Sequence, residues 1–110
     1  MTISQPYINV LTREYTTTVA ITSAVFTPHL AAQQTNFFIL ADTDGTADVE
    51  VQLSDGSWTV ISASVATSAD DLTYVNINMA VRAARVLFTP SAAPGTVVID
   101  ASYTGHAQPS

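Results

Sequence analysis

The chain has 110 residues, room for a single domain whose core needs no covalent staple. It has no cysteine, which excludes disulfides, thiolate zinc sites and thiol nucleophiles. Three arginines (Arg13, Arg82, Arg85) stand against nine carboxylates, and the resulting formal charge of -6 leaves no basic stripe for nucleic acid or for an anionic membrane.

Met1 to Pro6 carries neither a basic stretch nor an apolar segment, so no secretory signal is expected and synthesis is placed in the cytoplasm. Residues 1–15 form an N-terminal arm or edge strand in which Tyr7, Ile8, Val10 and Leu11 are set to pair or dock on a neighbour. Thr16 to Phe26 alternates, with Val19, Ile21 and Val25 on one face, and Thr27-Pro28 ends it. His29 to Thr35 is a polar connection with one helical turn through Ala31, Ala32 and Gln33 as an option. Asn36 to Ala41 is apolar on both faces, as a strand covered on both sides is.

Val49, Val51 and Leu53 then alternate with Asp48, Glu50 and Gln52, and Asp55-Gly56 supplies a two-residue hairpin turn. Such a turn sets Leu53 opposite Trp58 and Val51 opposite Val60, which puts Trp58 in the core. Ser62 to Asp71 is a small-residue loop. Thr73 to Val81 alternates again, Val75, Ile77, Met79 and Val81 against the outward row Tyr74, Asn76 and Asn78. Arg82 to Thr89 turns Val86 and Phe88 inward, and Thr96 to Tyr103 closes the domain with Val97, Ile99, Ala101 and Tyr103. Residues 105–110 are a tail. About seven or eight short strands with no helical period make residues 16–104 an all-β antiparallel sandwich or jelly roll.

Few groups suggest chemistry. His29 and His106 are two ordinary loop histidines, and no Gly-x-Ser-x-Gly turn marks a nucleophile, so the chain is not expected to be an enzyme. Asp42, Asp44 and Asp48 resemble the first half of a calcium loop. The glutamate that completes such a loop would fall at position 53, which is Leu53, and a plain turn is the alternative. Trp58 with Tyr74, Asn76 and Asn78 has the chemistry to stack on a sugar, while the outward row Tyr74, Asn76, Asn78 equally suits a subunit contact. Arg82 and Arg85 are each expected to pair with a carboxylate, Glu50 or Asp100, or to anchor an interface, with Arg82 counted among the interface residues.

The runs Val49 to Val60, Ala84 to Thr89 and Gly95 to Ala101 together resemble small virion proteins of tailed bacteriophages, and more loosely discoidin-like sugar-binding jelly rolls. The resemblance covers residues 46–104. It implies a virion structural protein, best a capsid decoration (cement) protein on the capsid surface. It further implies the major capsid protein as partner, a homo-oligomer with a trimer favoured, and no cofactor. A tail or fibre component and a carbohydrate-binding module are the alternatives.

Overall fold

A computed structural model describes residues 8–28, 32–79 and 81–105. They form eight strands: β1 (Ile8–Tyr15), β2 (Ile21–Thr22), β3 (Ala32–Ala41), β4 (Gly45–Gln52), β5 (Trp58–Thr67), β6 (Thr73–Ile77), β7 (Ala84–Pro90) and β8 (Gly95–Gly105). Two antiparallel four-stranded sheets pack as a sandwich, one ordered β1-β8-β3-β6 and the other β2-β7-β4-β5. The two sheets make the all-β antiparallel sandwich expected from the alternating runs, and their strand order is that of a jelly roll.

The pairing has a simple logic. β4 pairs with β5, β3 with β6, β2 with β7 and β1 with β8, so the chain is a nested hairpin centred on the turn at Asp55-Gly56. Rolling that long hairpin adds the β3–β8 and β4–β7 pairings and splits it into two sheets. Period-two burial then supplies one core between them, with Phe37, Ile39, Val49, Val86, Phe88, Val97 and Ile99 all inaccessible to solvent. Phe26 meets Phe37 edge-on, with ring centroids 6.2 Å apart.

Several elements differ from the sequence expectation. Between Thr16 and Phe26 only Ile21–Thr22 is a strand, and Val19 and Val25 are exposed. Past β2, the amide of Ser23 donates to the Val86 carbonyl at 2.8 Å, and the Ser23 hydroxyl accepts from the Val86 amide at 2.9 Å. A side chain thus stands in for a ladder carbonyl, which ends the alternation. Ala32 and Gln33, the end of the optional helical turn, lie in β3; residues 29–31 lie outside the described set. β3 buries only one face: Phe37, Ile39 and Ala41 point inward, while Leu40 is exposed. β5 runs through most of the stretch expected as a loop, to Thr67, because Val65 packs on the core and pairs with Ala47. The strand expected to reach Val81 ends at Ile77, and Met79 is exposed.

The hairpin itself is one residue out of the expected register. The Leu53 amide donates to the Ser57 carbonyl at 2.8 Å and the Gly56 amide to the Leu53 carbonyl at 2.9 Å, with Gly56 at φ 90°. Ser54, Asp55 and Gly56 therefore form a three-residue loop, in which the glycine takes the left-handed position after a tight turn. Trp58 then faces Gln52 rather than Leu53. A slip of one residue sends a side chain to the opposite face, and Trp58 moves from the core to the outside. Asp55 closes the loop by accepting from the Ser57 hydroxyl at 2.6 Å and from its amide at 2.9 Å.

Candidate functional site

The outer face of the β1-β8-β3-β6 sheet gathers the residues that suit recognition. Phe38 lies opposite Tyr74 and Asn36 opposite Asn76 across β3 and β6. The rings of Phe38 and Tyr74 sit 5.3 Å apart at a tilt of 35°. The Tyr74 hydroxyl donates to Asn36 Oδ1 at 2.9 Å, and Asn76 Nδ2 donates to the same oxygen at 2.6 Å and to Gln34 Oε1 at 3.2 Å. β6 is the edge of its sheet, so Tyr74 is left 55% exposed despite this clamp. An aromatic ring stacked on one neighbour and hydrogen-bonded to another is held in one rotamer before any partner arrives. Leu40, also exposed, extends the face on β3. Beside Phe38 on β8, one carboxylate oxygen of Asp100 is enclosed with no hydrogen-bond donor.

The opposite outer face holds a second cluster. Arg85 stacks its guanidinium 4.1 Å from the centre of the Trp58 ring, and its Nε donates to Glu50 Oε1 at 2.7 Å. Of the two expected partners of Arg85, Glu50 is the one it meets, because β4 and β7 set residues 50 and 85 opposite each other. Trp58 and the Tyr74 row thus lie on different sheets, and the single sugar platform built from Trp58, Tyr74, Asn76 and Asn78 does not exist.

The remaining candidates fall as follows. Tyr7 lies outside the described residues, and Ile8 begins β1. Val10 is 8% exposed in the core and Leu11 packs against it, so neither is free to dock on a neighbour. The cause is a bulge between Asn9 and Leu11 that turns Val10 inward and lets its carbonyl accept from the Ala24 amide at 3.2 Å. Asn78 and Arg82 are exposed on either side of the break between β6 and β7, apart from the Tyr74 ladder.

Asp42, Asp44 and Asp48 spend their oxygens on the chain itself. Asp42 Oδ1 accepts from the Thr96 amide at 2.9 Å, Asp44 Oδ1 from the Ala69 amide at 2.8 Å and Asp48 Oδ1 from the Ser64 amide at 2.7 Å. The first two tie down loops and the third pins the irregular β4–β5 pairing at Ser64, and among the described residues no group of three or more His, Cys, Asp or Glu is placed to hold a metal ion. The Tyr15 hydroxyl bonds to Thr43 Oγ1 and reaches Asp42 Oδ1 at 3.4 Å, sealing the same end of the sandwich. An open cleft of about 360 Å³ lies there, lined by Glu14, Tyr15, Thr16, Asp42, Pro94, Gly95 and Thr96. Both histidines lie outside the described residues.

Sequence reasoning named Tyr74 and Asn76 but missed Asn36, Phe38 and Leu40, which read only as a buried strand. No local pattern gives the pairing of β3 with a strand almost forty positions away.

No protein-family profile and no curated protein matches the chain. Among solved structures, the PBSX exported protein XepA shares the fold with a TM-score of 0.74 at 17% sequence identity. The match covers 96% of this chain and 39% of that one, so this chain spans about two fifths of its neighbour's length.

Proposed function

We propose that this chain is a structural component of a bacteriophage particle that acts by binding another virion protein through the Tyr74 face. The more specific reading is a capsid decoration protein seated on the major capsid protein at the particle surface. The observation that carries the proposal is Tyr74 itself, 55% exposed yet fixed by Phe38 and Asn36 on the outer face of β3 and β6, two strands without a charged residue. Rigid aromatics lose little conformational entropy on docking, which is why Tyr and Trp dominate interface energetics. The phage association of the structural neighbour, a PBSX exported protein, supports the virion setting. The absence of cysteine and the scarcity of histidine favour a binding role over catalysis.

The test is cosedimentation of the purified chain with intact phage heads. Wild type is expected to pellet with heads, and Tyr74→Ala to bind at least about tenfold more weakly while melting normally, as the loss of a central aromatic contact predicts. A chain that stays in the supernatant, or a Tyr74→Ala variant that binds unchanged, would refute the reading. The same row of ring and amides favours one alternative, a carbohydrate-binding module. Glycan-array binding without head binding would establish that alternative in its place.

A further inference from the structure

We infer that Asp100 receives an arginine side chain of the docked partner, so that the Tyr74 face recognises a segment carrying a guanidinium beside an apolar or aromatic residue. The inference rests on the Tyr74 reading for the place of the contact and deepens it by naming the partner's chemistry. β8 buries Val97, Ile99 and Ala101, so Asp100 between them projects from the outer face, opposite Phe38 of β3. Tyr74 of β6 lies opposite Phe38 on its other side. Asp100 and Tyr74 therefore stand two strand spacings apart, roughly 10 Å, within the footprint of one docked segment.

Asp100 is the only charged residue in β3, β6 and β8. One of its carboxylate oxygens is enclosed with no hydrogen-bond donor, although the residue as a whole is only half-buried. The chain's own cations do not meet it. Arg85 is paired with Glu50 on the other sheet. Arg13 is opposite the buried Val97, and directly opposed residues share a face, so it belongs to the other side of the sheet from Asp100. Arg82 stands in the break between β6 and β7. On the second sheet a carboxylate is matched by an arginine directly across the ladder, with Arg85 Nε donating to Glu50 at 2.7 Å. Across from Asp100 stand Asn9 and Phe38, neither of them a cation.

Dehydration is the chief opposing effect when an ion pair forms at an interface. Folding has already stripped one oxygen of Asp100 of water, so less of that penalty remains for docking. Rotation about the Cβ–Cγ bond is soft and two-fold, so a donor arriving at the surface can meet either oxygen. A guanidinium offers two parallel N–H groups to a carboxylate and is more weakly hydrated than an ammonium, which favours arginine over lysine. The formal charge of -6 adds long-range attraction for a basic partner.

The experiment has two arms, each on the full chain with folding checked by circular dichroism. In the first, N-acetylarginine amide is titrated into isotopically labelled protein and followed by NMR. The Asp100 carboxyl carbon is expected to shift saturably and further than those of the exposed Asp70 and Asp71, with N-acetyllysine amide shifting it less. The Asp100→Asn variant keeps the shape without the charge, and its β8 resonances should not respond. In the second arm, Asp100→Asn is expected to bind phage heads at least about tenfold more weakly than wild type, as loss of a close charge pair predicts, and with a weaker dependence on salt. An arginine probe that shifts Asp100 no further than Asp70 and Asp71 would overturn the inference. So would heads that bind Asp100→Asn as well as wild type, and a Tyr74→Ala variant that still binds weakly would then leave the Tyr74 reading standing. A wild type that ignores heads while the arginine probe still seats at Asp100 would refute the head reading and uphold the basic partner.

Discussion

Gly45→Ala is the substitution for which the structure makes the sharpest statement. Gly45 opens β4 between Thr67 of β5 and Pro90 of β7. A methyl group there would lie 2.5 Å from the Thr89 carbonyl oxygen and 2.8 and 2.9 Å from two carbons of the Phe88 ring. Neither obstacle yields easily, because the carbonyl belongs to the backbone of β7 and Phe88 is completely buried. Overpacking of a core costs about 1–3 kcal/mol, and a site walled by backbone and a buried ring belongs at the upper end. A loss of about 3 kcal/mol lowers the Tm of a domain this size by roughly 10–20 °C. Thermal denaturation followed by circular dichroism measures it. Gly56→Ala is the matched control, since Gly56 sits at φ 90° with nothing within 4 Å of the added atom. Its cost is backbone strain alone, about 1 kcal/mol. If Gly45→Ala melts no lower than Gly56→Ala, the close approach of β4 to β7 is wrong.

Three further outcomes are expected. Arg85→Ala uncovers the ring of Trp58, the single tryptophan, and leaves Glu50 unpaired at 14% exposure, so the emission maximum moves to longer wavelength and stability falls by about 1–2 kcal/mol. Unchanged emission would dispose of the stacking. The Ser57 hydroxyl and then its amide hold the Asp55 carboxyl below its ordinary 3.8, so the turn clasp is intact above that value and opens as the pH falls through the lower folded value. The Ser57 amide resonance should report that transition in wild type and lose it in Asp55→Asn; a variant that titrates identically would clear Asp55 of the role. Deleting residues 1–12 removes Val10, Leu11 and most of β1 from against β8, so the truncated chain should melt well below the full one, whereas an unchanged Tm would return those residues to a free arm.

Local chemistry carried most of the fold. The alternation at Val49 and Val51, at Val75 and Ile77, and at Val97, Ile99 and Ala101 reflects the pleat, in which every second side chain faces the core. Asp55-Gly56 marked the central turn because few other pairs supply both a side-chain clasp and a residue at positive φ. The outward row of Tyr74 and Asn76 followed from the same period. What local pattern could not set was anything that depends on counting between strands. The hairpin loop holds three residues rather than two, and that one residue moved Trp58 to the surface beside Arg85. The bulge at Val10 turned an expected contact arm into core, and the hydroxyl of Ser23 ended a strand that the β-branched run seemed to continue.

By itself, then, the sequence determined that the chain is an all-β body of inward-facing alternating strands, because side-chain period is a property of each strand alone. Only the tertiary structure decided which outward residues meet. Phe38 finds Tyr74, Asn36 finds Asn76, and Glu50 finds Arg85 because nested pairing around one central hairpin sets their registers, and register is a relation between strands that no single segment contains.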